Sequence, residues 1–194
     1  MDVVPIALEG SHVRLEPLEL ARHWEGLLTI GLDPSLWQFT AARVRTASEL
    51  RSYLEVALAD GARGTALPFA IVDRASGRVA GCTRFGNIAR EHRRAEIGWT
   101  FLGTEFQRTA RNTEAKYLML AHAFETWRCM RVEFKTSRTN QKSQNAMRRL
   151  GLVEEGMFRK WMLLPDGSPR DVVWFSVIDD EWPAMKARLQ EMLR

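Results

Sequence analysis

Two stretches constrain this chain more than any others: Phe106–Phe124, FQRTARNTEAKYLMLAHAF, and Asn140–Gly151, NQKSQNAMRRLG. Each opens on short polar or cationic residues and then runs into a helical pattern. An apolar strand signal, Val132–Thr136, lies between them, and a longer one, Ala95–Leu102, precedes both. Strand, helix, strand, helix in that order predicts a central parallel pair inside a mixed sheet, because parallel neighbours need a crossover and a helix supplies it. The first turn of a helix carries N–H groups without intrahelical acceptors and a partial positive charge, which suits an anion. Arg108 and Arg111 add two full charges beside that point. The first of these helices is expected to begin at Asn112 or Thr113, with Thr109–Asn112 as its loop. The second opens on Asn140 as N-cap, has Ser143 one turn later on the same face, and closes on Gly151.

The flanking sequence completes an α/β pattern in one domain, 1–194. VRLEPL at 13–18 alternates like a strand and ends at a proline. Leu18–Ile30 has helical periodicity and stops at Gly31. Asp33–Val44 reads as an irregular connection with two exposed-looking aromatics, Trp37 and Phe39. Thr46 with Glu49 has the spacing of a capping box before a helix whose apolar face is Leu50, Tyr53, Leu54, Ala57 and Leu58. Leu67–Asp73 and Arg78–Phe85 form a strand pair turned at Ala75-Ser76-Gly77. The cationic cluster Arg90, His92, Arg93, Arg94 belongs to the next turn. Trp161–Leu164 and Val172–Val177 flank a hairpin turn at 165–168, and Asp179–Leu193 is a terminal helix.

Composition excludes several classes. The net charge of +4 comes from scattered residues without a nucleic-acid motif, so a solvated surface with one anion site is expected and no nucleic-acid partner. No apolar run approaches the ~20 residues of a membrane span. The N-terminal residues lack a basic region followed by an apolar block, so a cytoplasmic protein with no membrane partner is expected. Cys82 and Cys129 stand without CxxC or CxxH spacing, which argues against a disulfide framework and against a metal and makes both buried small hydrophobes. The four histidines are not grouped, and His122, in mid-helix, reads as structural.

The order AEIGW, QRTARNTEAK, N-x-x-S, LG at a helix end and then EEG resembles the GNAT acetyltransferase superfamily. Within it, the chain is similar to the branch of ribosomal-protein and other N-terminal alanine acetyltransferases. The similarity runs from VRLEPL to the closing DDEWPAMKARL. It implies an α/β GNAT fold, with a mixed, V-split central sheet flanked by helices. Acetyl-CoA would enter the split between the strands at Ala95–Leu102 and Val132–Thr136, with no metal.

Carried over by position, the diphosphate pattern falls on Gln107 to Asn112, so that Arg108, Thr109, Ala110, Arg111, Asn112 and Thr113 would hold the cofactor. The backbone of Trp99, Thr100 and Phe101 would meet the thioester, and Asn140 the pantetheine arm. Ser143 would stand near the sulfur, and Glu96 is the candidate base. Trp37, Phe39 and Trp161 fall where the family lines its acceptor pocket. Two departures are visible. Ala110 and Asn112 stand where glycines are common, and Met157–Met162 has no carboxylate where the ribosomal-protein enzymes carry a glutamate. The implied function is direct acetyl transfer from acetyl-CoA to a primary amine, either a protein N-terminus or a small molecule. A cysteine intermediate is not expected, since neither cysteine has a histidine or helix start nearby. The alternative is a non-catalytic acyl-CoA-binding sensor or interaction module. Beyond the acceptor, a homodimer is the one association left open.

Overall fold

The computed structural model describes residues 1–194. Eight strands form one sheet: β1 (Leu8–Glu9), β2 (Val13–Pro17), β3 (Leu67–Asp73), β4 (Val79–Ala89), β5 (Arg94–Leu102), β6 (Arg131–Ser137), β7 (Val153–Leu163) and β8 (Pro169–Ile178). Their spatial order is β1-β2-β3-β4-β5-β6-β8-β7, and every neighbouring pair is antiparallel except β5–β6. The expected central parallel pair is therefore present. Its crossover is α3 (Ala110–Ala121), extended by a π turn at His122–Thr126.

Alternation along the strands divides the apolar residues between two faces. Phe69, Ile71, Phe85, Ile97, Phe134 and Phe175 pack with α3 and with Met147 of α4 (Gln141–Leu150) and Leu189 of α5 (Trp182–Met192). Ala70, Cys82 and Phe101 pack on the opposite face with Leu27 of α1 (Leu20–Gly31) and Leu50 and Leu54 of α2 (Ala47–Ala62). The capping box at the start of α2 forms as its spacing predicts: Thr46 Oγ1 accepts from the Glu49 N–H, and Glu49 Oε2 accepts from the Thr46 N–H. Both cysteines are buried and unpaired, as expected. No helix is long and apolar enough to cross a membrane.

Several expectations need correction. Helix α3 starts at Ala110, not at Asn112 or Thr113, because Thr109 takes the N-cap and its Oγ1 accepts from the Arg111 N–H. The anticipated loop Thr109–Asn112 is therefore mostly the first helical turn. Strand β7 begins at Val153, eight residues before the expected Trp161; its exposed charges and irregular register hide the alternation. Trp37 is not exposed. Its indole donates to the Gly31 carbonyl at 2.7 Å, and its ring packs on Tyr53 and Phe101.

The elements that frame the site are tied down by one buried carboxylate. Glu114, on the second turn of α3, accepts from the N–H groups of Ser11, His12 and Val13 at 2.8, 2.6 and 2.7 Å. The approach is so close that a Cβ on Gly10 would stand 2.3 Å from the Glu114 carboxyl carbon, so a side chain there would push the carboxylate off these donors.

Candidate active site

The parallel pairing of β5 with β6 is short. It runs from Arg94↔Arg131 to Glu96↔Glu133 and stops. Beyond it the strands part, while β5 stays paired to β4 and β6 to β8. Residues 97–102 and 134–137 thus present one unpaired backbone edge each to a V-shaped cleft. Such edges offer N–H and C=O groups to an extended ligand with amides of its own.

The wall formed by β5 is distorted at its centre. The register with β4 shifts between Arg84↔Gly98 and Cys82↔Phe101, and Trp99 takes a left-handed φ of 51°. That is the signature of a bulge, which re-aims a peptide out of the ladder. The Trp99 carbonyl accepts from the Tyr53 hydroxyl at 3.3 Å and so points toward α2. In a trans peptide the following N–H points the opposite way. The Thr100 N–H is thereby directed away from α2, toward the α3 side of the sheet. The bulge also lays the Trp99 ring across β4, where only a glycine fits: a Cβ on Gly86 would lie 2.4 Å from the indole.

At the mouth of the cleft, α3 and α4 both present N-termini. Asn140 caps α4 through Oδ1, which accepts from the Ser143 N–H at 3.1 Å, and its Nδ2 is left without a protein partner. The Ser143 hydroxyl is half-buried and engages no protein group. Arg108 precedes the α3 cap, exposed, with φ 58°. Ala110 and Asn112 lie in the first turn with negative φ, so the glycines often found there are not needed for backbone reasons. Arg111 is different. Its Nε donates to Asp73 Oδ1 at 2.6 Å, and this pair, with the Ser76 hydroxyl and N–H, holds the Asp73 carboxyl below its ordinary range despite burial. Lys142 reaches across from α4 to Gln107, and Arg149 donates to Thr113 Oγ1 at 3.2 Å, joining the two helices over the cleft.

On the opposite face, α1 and α2 cover the β2–β4 half and leave the rest open. Glu96 lies there, buried at 2% exposure. Its Oε2 accepts from Asn87 Nδ2 and from Lys135 Nζ, each at 2.7 Å, at the last register position before the strands part. Lys135 stands between two indoles, 5.6 Å from the Trp99 ring centre and 5.1 Å from that of Trp174. Trp174 in turn meets Trp161 and Phe158 on β7, which are half exposed. Arg43 of the α1–α2 connection pairs with Asp166 in the β7–β8 turn, closing the outer side of this groove.

Of the aromatics expected to line an acceptor pocket, Trp161 is on the groove, Phe39 is half-buried in the α1–α2 connection, and Trp37 is in the core. Phe101 packs against Trp37 and Tyr53, so only its backbone is available to the cleft. Lys135 and Trp174 escaped the sequence reading, and Tyr53 was read only as part of the apolar face of α2. A motif scan has no reason to select them, since each sits on an ordinary alternating strand or helix face.

Comparison with known proteins agrees with this geometry. Residues 12–153 match the acetyltransferase (GNAT) domain family. A crystal structure from T. thermophilus, described as a proposed acetyltransferase, is 41% identical with a TM-score of 0.90, covering 100% of each chain. YdaF of Bacillus subtilis (strain 168), whose name proposes a ribosomal N-acetyltransferase, is 30% identical over 110 residues. That match spans 57% of this chain and 59% of YdaF. Mycobacterium smegmatis RimJ, solved in complex with CoA-disulfide, shares the fold at a TM-score of 0.78 and 21% identity, over 97% of this chain and 95% of RimJ. By sequence and by fold, the chain belongs to the GNAT acetyltransferase family.

Proposed function

We propose that this protein is an acetyl-CoA-dependent N-acetyltransferase that transfers the acetyl group directly to a primary amine, with both substrates bound at once. The observation that carries this reading is the bulged Trp99–Thr100 peptide at the point where β5 and β6 part. A fixed backbone N–H beside an open cleft can stabilise the negative charge that develops on a thioester oxygen under attack. The unpaired edges of β5 and β6 and the free Asn140 amide suit the amide-bearing pantetheine arm. The α3 first turn and Arg108 suit the diphosphate. Arg111 contributes there mainly through its backbone N–H, because its guanidinium serves Asp73. Acetyl-CoA supplies the activated acetyl group.

The amine would approach from the groove on the other face, past Trp99, Trp174 and Trp161. Its neutral nitrogen bonds to the carbonyl carbon, the C–S bond breaks, the surplus N–H proton passes to water, and the thiolate takes a proton. Ser143, with an uncommitted hydroxyl at the start of α4, is the candidate donor of that proton, directly or through water. Glu96 is already held by Asn87 and Lys135, so it serves better to fix the cleft than to collect the amine's proton. We assign the acceptor as an α-amino group, on a protein N-terminus or a small molecule.

Thiol release from acetyl-CoA, measured with a panel of α-amino peptides, amino acids and polyamines, tests the reading. Amine-dependent release supports it. Protection by acetyl-CoA against heat with no release for any amine would favour a binding module instead.

A further inference from the structure

Lys116 has no part in the chemistry above, yet its surroundings are unusual for an ammonium. It projects from α3 onto the sheet with 7% exposure, and no carboxylate is near enough to pair with it. Its Nζ donates to Thr100 Oγ1 at 2.7 Å and to Thr83 Oγ1 at 3.3 Å, and the two hydroxyls are 2.7 Å apart. Removing an ammonium from water is costly, and two neutral hydroxyls return only part of that cost. Burial accordingly pulls the Lys116 amine down to about 7. An apolar side chain would fill this position at less cost, so packing alone does not account for a lysine.

Its location suggests what does. Thr100 is the residue whose N–H the bulge turns toward the α3 side, and its side chain is gripped from that same side by Lys116. Tyr53 grips the Trp99 carbonyl from the other face. The peptide is clamped between α2 and α3. We propose that Lys116 is a positioning residue for acyl transfer: through its hydrogen bond to Thr100 it fixes the bulged peptide whose N–H faces the thioester oxygen. This inference rests on the acetyl-transfer reading.

The test compares Lys116→Met, which keeps length and volume but no charge, with the unmodified protein in the thiol-release assay. Loss of one preorganised donor typically costs about 10²–10³-fold in kcat, and a residue acting through another is expected to cost roughly 10–100-fold. The KM for acetyl-CoA should stay within about threefold and the melting temperature should hold or rise, since an unpaired buried charge has been removed. A purely structural lysine predicts the reverse, a lower melting temperature with kcat retained among the folded molecules. That result, or a kcat within about threefold of the unmodified protein, would overturn the proposal. Thr100→Val and Thr100→Ser provide a second arm that also decides the matter if Lys116→Met does not fold. The valine variant should lose much more kcat than the serine variant, which keeps the hydroxyl that Lys116 holds; equal activities overturn the inference. Absence of thiol release in the unmodified protein would instead bring down the acetyl-transfer reading itself, and this inference with it.

Discussion

Among single residues, Ser143 and Glu96 have changed weight in opposite directions. Ser143 has a free hydroxyl in the first turn of α4, where a leaving thiolate could draw a proton from it. Ser143→Ala is expected to lower kcat by about 10²-fold or more while acetyl-CoA still shifts the melting temperature. Unchanged turnover would return Ser143 to an ordinary first-turn serine. Glu96, by contrast, is a buried anchor between β4, β5 and β6. Glu96→Gln turns a charged acceptor into a neutral amide facing the Lys135 ammonium, and one buried charge-assisted hydrogen bond is worth about 1.5–3 kcal/mol. A fall in melting temperature with only a modest drop in kcat is expected; a kcat loss near 10³-fold in a stable protein would make Glu96 the base after all. Lys116 adds a pH dependence. Its amine titrates near 7 when folded but near 10.5 when unfolded, so between those values the unfolded chain binds more protons and stability rises with pH. Comparing the melting temperatures of the native protein and Lys116→Met from pH 7 to pH 9 isolates this contribution, as other groups titrate alike in both. The difference should move in favour of the native protein as pH rises, and a difference constant with pH would contradict the buried titration.

Whole elements were legible in the sequence where local chemistry decides them. The capping box of α2, the Asn140 cap and Gly151 stop of α4, and the β3–β4 turn each depend on residues a few positions apart, and each forms as its spacing predicts. One failure is local, and the rest are long-range. The start of α3 moved because Thr109 outcompeted Asn112 as cap. Trp37 is buried because α2 and β5 supply Tyr53 and Phe101 from 16 and 64 residues away, which no local window registers. Glu114 shows the same limit: in sequence it is one more charged residue in a helix, yet it locks α3 to the β1–β2 turn by three backbone donors. Because α3 carries the proposed diphosphate site, this lock belongs to function as well as to stability. Glu114→Ala would leave those donors unsatisfied, at about 1–3 kcal/mol each when buried. For a chain of this length each kcal/mol shifts the midpoint by roughly 2–4 °C, so a drop of about 6 °C or more is expected in a thermal melt. A drop under about 2 °C would mean that water replaces the carboxylate in that turn.

At the scale of the molecule, the resemblance of ordered motifs was enough to place the cleft where β5 and β6 part, because strand–helix–strand order fixes where a parallel pair must open. The groove proposed for the acceptor was far less legible. It is assembled from β5, β6, β7, β8 and the α1–α2 connection, so its lining is a product of topology, and only Trp161 of its indoles was anticipated. What the groove lacks is as informative as what it holds. Its buried carboxylates are tied up, Glu96 by Lys135 and Glu133 by Arg94 and Arg131, and the β7 segment Met157–Met162 offers no other. With so little base machinery, the acceptor's own acidity should govern the rate. An α-amino group, with a reference value of about 7.7–8.0, is partly neutral near physiological pH, whereas an alkyl amine near 10.4 is almost wholly protonated. Turnover with an α-amino peptide under saturating acetyl-CoA is therefore expected to climb from pH 7 to pH 9 and then level off. N-terminal analogues of lower pKa should shift the curve to lower pH by the same interval. A profile that stays fixed when the acceptor's pKa is changed, or a clear preference for high-pKa polyamines, would require a protein base and would overturn the α-amine assignment.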